Sequence, residues 1–460
     1  MTATPTWTRR LGLRYGLMGL PLAFVALPLY VILPNHYARA FGVPLATLGA
    51  LLLGARLFDA VIDPLLGRWC DRWFGHSAQR VLRISAVASV LLAAGFIALF
   101  FPPVRGDALL LWALAALVVT YTAYSLVSVA HQSWGARLGG DALQRSRIVA
   151  WREGLGLAGV LLASVLPVVA GLGMTSAVFT AALVLGWLAW TQAPRPALAQ
   201  GAALVAQPGS SPAASVHAIS SATVPTSSPT SAPTTASATA DSSAPAAASL
   251  WLPLQRPRFM PLMLIFILNG IASAIPATLV LFFIQDLLQA PPKLEGAFLT
   301  AYFLAAAASI PLWLRCIGRF GLWRSWLGGM LMAVAVFVWA ATLGRGDIAA
   351  FMAVCALSGI ALGADLAAPP ALLAGVIQNN GDHGQAEGAY FGWWNFATKL
   401  NLALAAGLAL PALAYFGYTP GARAPQALQA LVIAYCVLPC ALKLKAASAL
   451  FYYSKRQLFS

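Results

Sequence analysis

Apolar positions along this chain come in long unbroken runs, not in alternation with polar ones. The runs fall at about 14–34, 44–66, 81–101, 108–131, 148–170, 172–192, 259–284, 296–315, 324–342, 347–373, 387–411 and 427–446. Each approaches the roughly 20 residues that an α-helix needs to cross a bilayer. Strands of a β-barrel would alternate apolar and polar side chains instead. The pattern predicts an all-α polytopic membrane protein with twelve transmembrane helices, the fifth and sixth divided by "AGLG" at 170–173. Between the sixth and seventh runs, a tract from about 193 to 250 is rich in Ala, Ser, Thr and Pro, with His217 isolated in it. Such a tract has little large apolar surface to bury, which predicts a disordered linker. Three regions follow: a six-helix bundle over 1–192, a cytoplasmic linker over 193–250 and a second six-helix bundle over 251–460. Many secondary transporters are built from two such halves around a site near the bilayer midplane.

Composition sharpens this picture. Of 460 residues, 60% are hydrophobic and 9% charged, and the mean hydropathy is +0.78. Soluble domains carry about 25% charged residues. A net charge of +15 would suit nucleic acid, but its distribution points elsewhere. Basic residues crowd the termini and alternate junctions, among them Arg68, Arg72, Arg145, Arg195, Arg256, Arg319 and Lys443, whereas the opposite junctions hold Arg39, Arg105, Lys293, Arg345 and Arg423. This bias predicts cytoplasmic N- and C-termini, with anionic phospholipid headgroups as neighbours and no nucleic-acid partner. Residues 1–13 are short and basic and lead straight into the first run, so no cleavable leader is expected. The five cysteines, Cys70, Cys316, Cys355, Cys436 and Cys440, lack metal-ligand spacing. Cys436 and Cys440 share a helix face and are expected to pack there. No nucleotide loop, carbonyl filter or zinc cluster is visible, so no enzyme chemistry and no cofactor are expected.

Ionisable groups inside the apolar runs are the candidates for function, because each costs roughly 2.5 kcal/mol or more to insert. Those well inside a run are Arg56, Asp59, Asp63, Asp365 and Lys399. Asp59 and Asp63 stand four apart, so they share one helix face, and Arg56 lies one turn earlier. Two carboxylates in a dehydrated site repel each other unless a proton or cation lies between them. The pair suits Na⁺ or H⁺; the alternative is that Arg56 and one Asp merely neutralise each other. Pro64 follows and can loosen the helix. Beyond it, "GRWCDRWFG" places Gly67, Asp71, Arg72 and Gly75 in a tight basic junction, a candidate cytoplasmic gate or an ordinary solvated turn.

Together these residues resemble the major facilitator superfamily. "FDAVIDPLLG" resembles the glycoside–pentoside–hexuronide:cation symporter family, which includes the melibiose permease, and "GAYFGWWNFATKLNLALAAG" at 388–407 is similar to its eleventh helix. The likeness covers roughly 12–192 and 255–445, and the linker is an addition to it. It implies the major facilitator fold and cation-coupled transport of a small polar solute, a sugar or glycoside, across the bacterial inner membrane. By the resemblance, Asp59 and Asp63 are cation-binding carboxylates, Ser125 of "YSLVSVAHQSW" adds a hydroxyl oxygen, and Arg56 and Lys399 balance the charge. Arg152 matches a basic residue near the substrate pathway.

Departures from the family bear on the substrate. Where sugar-binding members carry an aspartate in the first helix, "RYGLMGLPLAFVALPLY" offers Leu20 and Pro21, and their second aspartate aligns with Ser128. Gly375 and Asn379 replace acidic positions near the end of the tenth helix. Tyr15, Tyr121, Tyr124, Ser128, His131, Arg152, Asn269, Asp365, Trp393, Trp394 and Asn395 remain as candidate substrate contacts. The expected function is symport by a monomer, with Na⁺ or H⁺ as the coupling ion. The loss of both sugar carboxylates motivates an alternative, a lipid or lysolipid transporter or a non-transporting sensor on the same scaffold.

Overall fold

Helix boundaries follow local capping chemistry. In the computed structural model, which describes residues 7–43, 45–106, 108–196, 249–415, 417–418 and 421–456, extended Ser77 accepts from the Arg80 amide at 3.0 Å and opens α5 (Ala78–Phe100). Asp141 accepts from the Gln144 amide at 2.7 Å and opens α7 (Ala142–Val169). Such caps satisfy an amide that the first turn leaves unpaired. Gly171, at φ +76°, divides α7 from α8 (Gly171–Thr191), a left-handed turn that the "AGLG" supplies. Linker positions 197–248, His217 among them, lie outside the described residues.

The first predicted run is not one uninterrupted α-helix. It divides into α1 (Arg9–Gly16), α2 (Gly19–Phe24), a π-helical turn over Pro28–Ile32 and α3 (Leu33–Phe41). Pro21, Pro28 and Pro34 lack the amide hydrogen that a regular ladder needs, and irregular turns accommodate them. The second run is longer than the sequence suggested. Helix α4 (Leu45–His76) carries Pro64 inside it and continues through "GRWCDRWFG", so that segment is helix and not a turn. With α6 (Ala108–Arg137), these elements form the N-terminal bundle, whose buried core extends from Tyr15 to Ala193.

The second bundle contains α9 (Leu252–Gln255), α10 (Phe259–Phe282), α11 (Glu295–Phe320), α12 (Leu322–Ala340), α13 (Ile348–Ala367), α14 (Pro369–Asn379), α15 (Glu387–Tyr415), α16 (Pro425–Val432) and α17 (Leu438–Lys455). A π-helical turn over Phe283–Leu288 extends α10, and another over Ile433–Val437 joins α16 to α17. The tenth predicted run is interrupted at Ala368, which stays helical in conformation while Pro369 and Pro370 bring no amide hydrogen to the ladder. Among the described residues, nine helical segments are long and apolar enough to cross a membrane. The charged α4, the long α15 and the interrupted 9–41 stretch stand beside them.

The bundles meet along two seams. Helices α4 and α6 of the first pack on α15 of the second, and α7 packs on α11, α13 and α14. Ala150 and Leu157 close the second seam against Ala306 and Ile310.

Candidate functional site

The first seam positions the charged groups. Asp59 and Asp63, 1% and 0% exposed, project from α4 toward α15, and Lys399 reaches back from α15. The Lys399 ammonium lies 2.7 Å from Asp59 Oδ1 and 2.8 Å from Asp63 Oδ2. It also donates to Ser125 Oγ at 2.8 Å and to the Asp59 carbonyl at 3.2 Å. Ser125, from α6, donates to Asp59 Oδ1 at 2.7 Å. One ammonium thus serves two carboxylates from the opposite bundle. The buried Oδ1 of Asp63 accepts no hydrogen bond of normal geometry among the described residues. Arg56 stands close enough to exert its charge on Asp59 and on Tyr121. Counting Arg56, two negative and two positive groups balance; without it, the cluster keeps one excess negative charge.

Glycines let the two helices approach closely enough for Lys399 to reach across. A Cβ on Gly67 would overlap the Gly388 carbonyl oxygen, and one on Gly388 would overlap that of Gly67. One on Gly392 would come within 2.7 Å of the Asp63 carbonyl oxygen. Gly67→Val is therefore expected to force the seam apart at this end. Spin labels at the exposed positions Arg72 and Gln385 would report a longer distance in the variant; an unchanged distance would contradict the contact.

A second charged cluster fastens the same end. Asp71 accepts from the Gly388 and Ala389 amides at 2.7 and 2.8 Å, so it occupies the N-terminus of α15, where a carboxylate is favoured. Arg137, buried at the end of α6, lies 2.8 Å from Asp71 and 3.0 Å from Glu387, which is itself 0% exposed. Arg137 also donates to the Gly384 carbonyl, and His383 stands 3.1 Å from Glu387. Nearby, Arg145 donates to Gln378 across the bundles. Of the four junction residues singled out in the sequence, Gly67 and Asp71 lie in this contact. Arg72 and Gly75 are exposed, and nothing stands within 4 Å of a Cβ on Gly75.

The remaining candidates are dispersed. Tyr15 and His131 interlock α1 with α6: the Tyr15 hydroxyl donates to the His131 carbonyl at 3.0 Å, and the rings stack at 4.3 Å. Ser128 accepts from Gln132 at 2.9 Å. Tyr124 and Asn395 are half-buried, and Arg152 pairs with Glu153 at 3.3 Å. Trp394 stacks on Phe266 at 3.7 Å. Trp393 lies at the end of the linker, donating to the Leu250 carbonyl at 2.9 Å and packing on Trp251. These contacts anchor that end.

Asn269 and Asp365 meet inside the second bundle, with partners that the sequence reading did not identify. Asp365 Oδ1 accepts from Asn269 at 3.1 Å and Trp326 at 2.8 Å, and Lys443 stands 3.1 Å from Oδ2. Lys443 also donates to Asn269 Oδ1 at 2.6 Å and Ser273 at 3.1 Å. Lys443 is therefore a buried partner in an ion pair and not a junction charge. Its position near Lys445 and Lys455 concealed this, although the apolar residues on its N-terminal side were a signal.

Two helix bundles meeting along such seams, with no sheet among the described residues, define a major facilitator transporter fold. The family description "MFS/sugar transport protein" matches residues 14–455, and the chain belongs to that family. It is a multi-pass membrane protein of a family that moves small solutes by alternating access. Its first curated relatives match over limited stretches. "Putative glycoside/cation symporter YagG" of Escherichia coli K12 is 26% identical over 163 residues, 35% of each chain. "Uncharacterized symporter YjmB" of Bacillus subtilis 168 is 26% identical over 125 residues, 27% of each. The matched stretches thus span about a third or less of those proteins. Among solved structures, a bacterial homologue of the iron transporter ferroportin in an outward-facing state gives a TM-score of 0.66 at 14% identity, covering 97% of this chain and 98% of that one. The transporter FucP in the outward conformation gives 0.58 at 14% identity, covering 95% and 98%. At these identities the likeness is one of fold.

Proposed function

We propose that the protein is a cation-coupled symporter of the glycoside–pentoside–hexuronide:cation type, with twelve spans in the bacterial inner membrane and both termini cytoplasmic. It acts as a monomer and moves a small polar solute, a sugar or glycoside, with Na⁺ or H⁺. The observation that carries this reading is the Lys399 ammonium held between Asp59 and Asp63 across the bundle seam.

The chemistry follows from competition for those carboxylates. A proton on Asp63 or a Na⁺ ion among the carboxylate oxygens removes the electrostatic demand for Lys399. Ser125, no longer accepting from Lys399, offers its oxygen to Na⁺. The free Oδ1 of Asp63 is a further oxygen available to the ion. Because Lys399 belongs to the opposite bundle, releasing it weakens the tie between halves, and cation occupancy becomes coupled to bundle position. Coupling of this kind is a difference in affinity between two conformations, typically about 1–3 kcal/mol. The cluster around Asp71, Arg137 and Glu387 serves as the cytoplasmic gate, made and broken as the halves rock.

Uptake or counterflow in proteoliposomes tests the reading, with sugars and glycosides as solutes and an imposed Na⁺ or H⁺ gradient. Accumulation that follows one cation gradient is expected. Solute uptake indifferent to both gradients would rule out symport.

A further inference from the structure

The polar cluster inside the second bundle borders a cavity of about 290 Å³ lined by α10–α13, α17 and the turn before it. Asp365, Lys443 and Ser273 stand at its polar end, while Phe298, Phe303, Phe337 and Leu362 contribute to a largely apolar wall. Ligand pockets combine this kind of wall with a few placed polar groups. We propose that this cavity binds an uncharged molecule with a ring-sized apolar body and a terminal hydroxyl.

The charge balance selects the ligand's charge. Asp365 and Lys443 neutralise each other 3.1 Å apart, and each has further neutral partners. An ammonium or carboxylate on the ligand would add an uncompensated charge against a largely apolar lining, which is costly. A hydroxyl adds none. The cavity also offers hydrogen-bonding capacity outside the ion pair. Tyr302 lines it within electrostatic reach of Asp365, and its hydroxyl forms no hydrogen bond among the described residues. Ser358 uses its hydrogen on the Cys355 carbonyl at 3.1 Å, leaving its oxygen to accept. A ligand hydroxyl can accept from Tyr302 and donate to Ser358 without dismantling the ion pair.

This inference goes beyond cation coupling and is tested without a gradient, so its failure would leave the symport reading standing. Three probes share one ring and differ in charge: 2-phenylethanol, 2-phenylethylamine and phenylacetate. Cys355 and Cys440 line the cavity, whereas Cys316 does not, so the full chain carries its own reporters and control. Site-resolved alkylation by N-ethylmaleimide is expected to slow saturably at Cys355 and Cys440 with the alcohol, and not with the amine or carboxylate. Equilibrium dialysis of radiolabelled 2-phenylethanol should give a matching affinity. Tyr302→Phe, which removes a hydroxyl with no described partner, should weaken both effects about fivefold, as for one lost hydrogen bond. Equal protection by the charged probes, absence of protection, or an unchanged affinity in Tyr302→Phe would overturn the proposal. Unreactive cavity thiols would also contradict it, because a cavity closed to maleimide does not admit a phenyl compound.

Discussion

Lys399→Met is expected to abolish cation-driven uptake and to lower unfolding stability by about 3–5 kcal/mol, the cost of leaving buried ionic partners uncompensated. The Lys399 ammonium lies within 2.8 Å of both Asp59 and Asp63, and both carboxylates are buried. Stability and function should then separate. Adding Asp59→Asn and Asp63→Asn to Lys399→Met removes the stranded charges, so stability should largely return while cation dependence stays lost. Denaturant unfolding of the purified proteins checks the first effect, and proteoliposome uptake checks the second. A Lys399→Met protein with unchanged stability and gradient-driven uptake would show that the ammonium is not the tie described here.

Arg137→Ala should open the proposed gate at the same end. Arg137 compensates Asp71 on α4 and Glu387 on α15, so its removal leaves two buried carboxylates on opposing helices to repel each other. The penalty, again about 3–5 kcal/mol, falls on the closed conformation and so favours separation of the halves. Cys70 provides a native reporter. It is a buried free thiol one residue from Asp71, and its alkylation should accelerate by at least about tenfold, the equivalent of 1.4 kcal/mol in the opening equilibrium. Unchanged Cys70 reactivity in Arg137→Ala would mean that this cluster does not hold the seam closed.

The sequence made some of this arrangement legible because lipid makes charge conspicuous. Arg56, Asp59, Asp63 and Lys399 stand out as ionisable groups within apolar runs, and the four-residue spacing of the aspartates predicts a shared face. Their meeting with Lys399 was expected from resemblance to a family and not from spacing alone, since 336 positions separate Lys399 from Asp63. The proposed gate was only partly legible. Gly67 and Asp71 belong to a recognisable junction, but Arg137 and Glu387 carry no local sign that they will converge on Asp71. Small residues at Gly388 and Gly392 were an available clue to close helix approach.

Other features were hidden for physical reasons. A basic residue near a helix end commonly reaches the interface, so Lys443 read as a junction charge until its partners in α10 and α13 were known. Trp393 and Trp394 are neighbours in sequence but project from different sides of α15, one to the linker's end and the other to Phe266. Proline-rich irregularity in the first helical stretch was written in Pro21, Pro28 and Pro34, yet the continuous apolarity masked it.

Direct cation binding tests the central claim most closely. Calorimetric titration with Na⁺, paired with proton release followed by a pH-sensitive dye, should reveal binding of one or both cations to the purified wild-type protein. Asp59→Asn and Asp63→Asn should each lose that signal while remaining folded. Variants that bind Na⁺ or take up protons as wild type does would contradict the assignment of the two carboxylates as the coupling site.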